Sequence, residues 1–203
     1  MATRPLSRAE RREQTRDDLI AAADRLFVES GFHATSLDQI AAAAGYTKGA
    51  VYSNFASKED LFFAVYEQRA RAAEAQLREQ LAGDPVAGLQ RISSDTSGRH
   101  GRDDGWLAVF FEFWAHVIRH PELRGRFATI HRRVQLPIAD ALERLAAGHG
   151  AELPVASLPL AVASGAMQIG LALERLTQPE VVDEALGARM SRLLLDEVGK
   201  EKG

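Results

Sequence analysis

The sequence predicts an all-α protein, and three observations carry that prediction. Apolar residues recur at three- and four-residue spacing along most of the chain. Capping patterns, Ser36 with Gln39 and Ser57 with Asp60, stand just ahead of two of these runs. No stretch keeps up the apolar–polar alternation of a half-buried strand.

Residues 1–16 are polar and rich in arginine, with Arg4, Arg8, Arg11, Arg12 and Arg16 against Glu10 and Glu13, and are expected to form a disordered tail. From about Arg11 a helix is marked by Leu19, Ile20, Ala23, Leu26 and Phe27, and Gly31 suits its C-terminal cap. Ser36 opens a second helix, Leu37–Ala44, which Gly45 ends after barely two turns. Thr47 can cap a third through about Phe55, a residue expected in the core. Ser57 then opens a long helix from Lys58 to about Leu81. Two short helices joined by a glycine-containing turn form a helix-turn-helix pattern, in which the second helix is presented outward.

Beyond Gly83 the pattern predicts helices from Pro85 to about Thr96, from Trp106 to Arg119, and from Glu122 to Ala147 with a kink at Pro137. Two more follow, Leu158–Leu176 and Val181–Val198. The stretch SGRHGRDDG, 97–105, is expected to be the most flexible loop. The organisation expected is a DNA-binding domain at 1–60 and a larger helical domain at 61–203.

Composition narrows the function classes. The absence of cysteine excludes disulfides, cysteine-ligated zinc and thiol nucleophiles. No apolar run is read as approaching a membrane span, nor the start as a signal peptide, so a cytoplasmic protein without membrane partners is expected. A net charge of −3 counts against charge-driven nucleic-acid binding, so any such role must rest on a local patch. Before Lys200 and Lys202 the only lysines are Lys48 and Lys58, both in the helix-turn-helix region.

That region reads TSLDQIAAAAGYTKGAVYSNFASKEDLF. Thr35, Ile40-Ala41, Gly45, Thr47-Lys48-Gly49, Tyr52, Phe55 and Ser57-Lys58-Glu59-Asp60-Leu61 follow in an order that resembles the tetracycline-repressor (TetR) family of bacterial transcriptional regulators. The resemblance covers about 50 residues. It implies DNA contacts from Thr35 or Ser36, Tyr46, Thr47, Lys48, Gly49, Tyr52, Asn54 and Lys58. Two positions depart from the family pattern: Asn54 stands where His is common, and Ser53 where an aromatic is common. The residue chemistry agrees independently. Thr47 and its neighbouring N–H groups can meet a phosphate, Lys48 a base edge or phosphate, and Tyr52 and Lys58 phosphates. Gly49 allows close backbone approach at a helix cost of up to ~1 kcal/mol. Ser36 and Ser57 are equally explained as helix caps. The N-terminal arginines have a second reading, as an arm in the minor groove.

In the larger domain WLAVFFEFWAHVIRH, 106–120, places Trp106, Phe110, Phe113 and Val117 on one side, flanked by Leu107, Phe111, Trp114 and Ile118, with Glu112, Ala115, His116 and Arg119 opposite. Apolar periodicity marks burial, so a core helix is the plain reading. The resemblance implies instead a cavity for an apolar or aromatic effector, with Trp106, Phe110, Phe113, Trp114, Val117, Phe127, His131, Gln135, Met167, Gln168 and Leu171 as candidate lining. His116 and His120, four apart, fall short of a closed metal site, and no metal or cofactor is expected. Small residues, Ala163, Ala166 and Gly170 among them, and the apolar stripe Leu186, Met190, Leu193, Leu194 are candidates for the homodimer interface that the resemblance implies. No nucleophile-with-base motif, phosphate-cradling loop or paired carboxylates stand out, so an enzyme is not expected. The reading is a homodimeric, ligand-responsive regulator, a repressor by resemblance, on a pseudo-palindromic operator. The alternatives are a DNA-binding scaffold without an effector pocket and an all-α enzyme.

Overall fold

The computed structural model describes residues 4, 7–94, 104–183 and 185–198. Among them are nine helices and no strand: α1 Arg8–Ser30, α2 Leu37–Ala44, α3 Lys48–Asn54, α4 Lys58–Gln80, α5 Pro85–Ser94, α6 Asp104–Arg119, α7 Pro121–His149, α8 Ser157–Thr177 and α9 Leu186–Val198. The all-α expectation holds, with the helix-turn-helix at the N-terminal end.

The boundaries depart from expectation where a cap was overlooked. α1 begins at Arg8, so the tail expected over residues 1–16 is helical from there. Ser7 accepts from the Glu10 N–H while the Glu10 carboxylate accepts from the Ser7 N–H, and this reciprocal pair satisfies amides that a bare helix start would leave open. α9 begins at Leu186, not Val181. The Asp183 carboxylate is held below the usual range by the Arg189 guanidinium first, with the Leu186 and Ala185 amides adding to it, as an aspartate at a helix start should be. α6 starts at Asp104, and the rest of the expected flexible loop lies outside the described residues. Pro137 is buried inside α7, which runs on through it. Among the described residues α8, 21 residues long, is apolar and long enough to cross a membrane by length and composition alone, a test that core helices of soluble proteins also pass.

The chain divides into two compact units. One takes residues to Arg69 together with Ala108–Arg124, and the other Ala70–Leu107 together with Gly125 onward. In the first, Phe27, Phe32, Phe62, Phe63 and Phe113 are all but inaccessible. Phe62 and Phe113 stack at 3.9 Å between ring centroids, and Phe32 meets Phe113 edge-on at 5.0 Å. Each such phenylalanine contributes about 1.5–3 kcal/mol by burial. The two short helices α2 and α3 bury few large side chains, and Phe62 of α4 and Phe113 of α6 complete the core. In the second unit Leu77, Leu81, Leu89, Ala139, Ala141, Leu142, Leu145 and Ala161 form the core. There Arg144 and Arg91 donate to the open carbonyls of Leu81 and Gln80 at the end of α4, at 2.5 and 2.8 Å.

Candidate nucleic-acid interface

The helix-turn-helix is built by three local devices. Ser36 and Gln39 form a full capping box at the start of α2. Gly45 ends it with φ 76°, its N–H donating to Ala42 O, while the Tyr46 N–H reaches Ala41 O at 2.9 Å. This paired closure needs a left-handed residue, which glycine adopts without a Cβ penalty. Thr47 then caps α3 by accepting from the Ala50 N–H. α3 buries Val51 alone, and Phe55, just past its end, is buried too. The other side of this short helix is open.

On that open side Thr47, Lys48 and Gly49 are exposed, and Tyr52 is 53% exposed. Lys48 Nζ lies 2.8 Å from Asp38 Oδ2 of α2, and this bond raises its pKa. Both side chains are well exposed, so water screens the pair and leaves the lysine available to a stronger anion. The ammonium also sits 5.9 Å from the Tyr52 ring centroid. At Gly49 a Cβ would meet only Thr47 Oγ1, at an ordinary 3.8 Å. Nothing inside the protein therefore requires glycine at that position of a helix. Ser36 is exposed at the start of α2.

Four of the expected contacts have hydrogen-bond partners inside the protein. Thr35 is 2% exposed, and its hydroxyl donates to Gly31 O at 2.7 Å, so its side chain belongs to the core. Lys58 Nζ donates to the carbonyls of Phe32, Thr35 and His33 at 2.8, 3.0 and 3.2 Å. These bonds tie the loop to α4, and burial pulls the Lys58 pKa down, with Glu59 and Glu112 opposing. Tyr46 is half-buried with its hydroxyl on Asp18. Asn54 turns back onto α3, donating through Nδ2 to Ala50 O at 2.8 Å, and its Oδ1 is enclosed without a hydrogen-bond partner. The signals missed in the sequence are the partner carboxylates Asp18 and Asp38. Two of the arginines expected in a tail or a minor-groove arm instead lie on α1 against α3 and its end: Arg12 Nη2 is 3.5 Å from Ser53 O, and the Arg16 guanidinium is 4.9 Å from the Phe55 ring centroid.

The effector candidates divide between the units. Phe113, Val117 and Phe110 are 0%, 2% and 6% exposed and packed among rings of the first unit, Phe110 lying 5.3 Å from Tyr66. All three are buried, which is the plain reading of this helix. Trp114 is half-buried against Phe110 and Phe111. In the second unit Phe127 is buried and stacked on His131 at 5.5 Å, and burial lowers the His131 pKa. Trp106, Gln135, Met167 and Leu171 are half-buried. Gln168 donates to Ser191 Oγ at 2.8 Å and to Gly187 O at 3.2 Å, joining α8 to α9. A pocket of about 410 Å³ in the same unit is lined by Ala87, Gln90, Arg91, Ala188, Ser191 and Arg192, none of them an expected lining residue.

Of the dimer candidates, Ala163, Ala166, Gly170, Met190 and Leu193 are exposed and Leu186 is half-buried. The side chain of Leu194 lies outside the described residues. Sequence reading missed Val162, Leu173 and Leu176, apolar and exposed on α8.

Comparison with known proteins agrees with this geometry. The family described as bacterial regulatory proteins, tetR family, matches residues 19–65, and the BetI-type transcriptional repressor C-terminal family matches 85–200, more than half of the chain. The chain belongs to the TetR family of transcriptional regulators. Among curated relatives, the HTH-type transcriptional regulator AcrR of Shigella flexneri is 40% identical over 83 residues, 39% of each chain. The HTH-type transcriptional activator FasR of Mycolicibacterium smegmatis is 30% identical over 105 residues, 52% of this chain and 42% of the relative. The chain thus spans about two fifths of the length of these relatives. The structure of the reduced form of E. coli NemR superposes with a TM-score of 0.70 at 21% identity, covering 91% of this chain and 97% of that one, which establishes a shared fold. The family model begins at Leu19 and so leaves out the first turns of α1, where Arg8, Arg11 and Arg12 lie.

Proposed function

We propose that the protein is a homodimeric, effector-responsive repressor acting in the cytoplasm on a pseudo-palindromic DNA operator. Residues 1–60 carry the reading head, and 61–203 carry effector binding and dimerisation. That functional division differs from the compact units, because residues 61–69 and 108–124 supply the core against which the head folds. The observation that carries the proposal is Gly49. A helix accepts a glycine with an open Cβ position and a cost of up to ~1 kcal/mol when something outside needs the space. Thr47, Lys48 and Tyr52 surround it with a hydroxyl and N–H groups, a cation and a phenol, a set suited to phosphates and base edges. With Ser36 they make up the DNA-reading surface.

Repression is supported by the BetI-type repressor match over the C-terminal helices. Two-fold assembly is supported by the exposed apolar residues Leu173, Leu176, Met190 and Leu193 on α8 and α9, since two heads one helical turn apart suit a palindromic site. The effector is a small apolar or aromatic molecule, with Trp106, Phe127, His131, Gln135, Met167, Gln168 and Leu171 as lining. It releases DNA only by binding the DNA-incompetent state more tightly. The solid packing of Phe110, Phe113 and Val117 favours a second reading, a DNA-binding scaffold without an effector.

Selection of bound duplexes from a random pool tests the proposal, with a Lys48→Ala, Tyr52→Phe double variant in parallel. The expected result is a pseudo-palindrome enriched by the wild type and lost or degraded in the variant. No enrichment by the wild type at low salt would refute it.

A further inference from the structure

The segment that delivers α2, Gly31–Thr35, is gripped from two sides. On its carbonyl side stands Lys58, as described above, its ammonium also 4.5 Å from the Phe32 ring centroid. On its amide side stands Glu112 of α6. The Phe32 N–H donates to Glu112 Oε2 and the His33 N–H to Oε1, both at 2.8 Å. Both carboxylate oxygens are thus used on consecutive backbone amides, and such bonds to a charged acceptor are the stronger kind. Gly31 makes room for them: its φ is 84°, and a Cβ there would lie 2.8 Å from Glu112 Oε2. The periodicity of α6 had put Glu112 on the side away from the apolar arc, with no partner legible.

The end of α1 does not itself need this carboxylate. The Gly31 N–H already returns to Phe27 O at 2.8 Å, and the helix is closed. What Glu112 fixes is the next two peptide groups, whose orientation decides where Thr35 and Ser36 fall. Thr35 then locks inward through its hydroxyl, Ser36 caps α2, and α2 carries α3 through the Gly45 turn.

We propose that Glu112 is a positioning residue for DNA reading: it touches no DNA, and by holding the Phe32 and His33 amides it sets the angle at which α2 and α3 are presented. This rests on the DNA-reading function proposed above. Electrostatics gives the inference a distinctive sign. A carboxylate beside a DNA-binding head repels phosphate, so neutralising it should leave non-specific binding unchanged or raise it. Specific binding, which needs correct placement of Thr47, Lys48 and Tyr52, should fall.

The test uses the full-length protein and two duplexes, one selected by the wild type and a scrambled one of equal length. Binding is measured across a salt series for the wild type, Glu112→Ala, Glu112→Gln, and Leu142→Ala as a destabilised control in the core of the second unit, below the unfolding temperature of each. Glu112→Ala should lose about tenfold or more of its preference for the selected duplex, the scale of charge-assisted hydrogen bonds lost. Its scrambled-duplex affinity should be unchanged or higher, and its salt slope unchanged. Glu112→Gln, which keeps one acceptor, should fall in between, and Leu142→Ala should keep the wild-type preference. If Glu112→Ala does not fold, Glu112→Gln carries the comparison, and a full wild-type preference there overturns the inference. Equal losses on both duplexes would also overturn it, since that marks loss of folded protein. A wild type without preference refutes the DNA-reading function itself. A wild type with a preference that Glu112→Ala retains refutes the positioning role alone.

Discussion

The Tyr46 hydroxyl donates to Asp18 Oδ2 of α1 at 2.7 Å, across 28 residues of sequence. Tyr46 is the second residue of the helix-turn-helix turn, and its N–H also closes α2 onto Ala41 O. One residue therefore ends α2 and moors the turn to α1. Tyr46→Phe should destabilise the protein by about 1–2 kcal/mol, the range for a partly buried hydrogen bond to a charged group. Chemical denaturation measures this, and an unchanged midpoint would contradict the mooring role.

Gly31 and Gly45 both have positive φ, but their surroundings differ. A Cβ at Gly45 meets nothing within 4 Å, whereas one at Gly31 meets the Glu112 carboxylate. Gly45→Ala should cost about 1–2 kcal/mol for backbone conformation alone. Gly31→Ala should cost more, and a Gly31→Ala, Glu112→Ala double variant should cost less than the sum of the singles. A thermal-unfolding double-mutant cycle measures the coupling.

Two histidines make stability depend on pH in one direction. Burial, then the neighbouring His120 imidazole, holds His116 below its ordinary 6.5; His33 and Lys58 add to this and Glu59 opposes. Burial does the same to His131. Both pKa values are lower in the folded chain than in the unfolded chain, so the unfolded chain binds protons first. Their contribution is complete above about pH 6.5, the ordinary histidine value, and is lost as pH falls through the folded pKa values. Tm measured from pH 8 down to pH 5 should fall below 6.5, and His116→Gln should flatten that fall.

The apolar faces of α8 and α9 give a test of assembly. Leu173 and Leu193 are 38% and 60% exposed, and carboxylates at an interface would be desolvated at a cost of several kcal/mol per ion. Leu173→Glu with Leu193→Glu should yield a monomer in sedimentation and abolish cooperative binding to a two-half-site duplex. Unchanged mass would place the interface elsewhere.

What the sequence disclosed follows from the range of the interactions involved. Ser36–Gln39, Gly45 and Thr47 act within four residues, and the structure has each in its expected place. The Ser7–Glu10 box is equally local, but it stands among arginines whose polarity suits a tail as well as a helix start. The partners of Lys58, Thr35 and Tyr46, which are Phe32 O, Gly31 O and Asp18, lie four to 28 residues away and leave no local mark. The same holds for Phe113. Its periodicity announced burial, but whether it faced a cavity or the Phe62 ring depended on another helix.

The central claim, that α3 is built for DNA, is tested most directly at Gly49. Gly49→Ala should raise or preserve Tm, because alanine removes a helix cost of up to ~1 kcal/mol. The same variant should bind the wild-type-selected duplex about tenfold or more weakly, the scale of one disrupted base-pair contact. A variant that is both more stable and equally tight on that duplex would contradict the account.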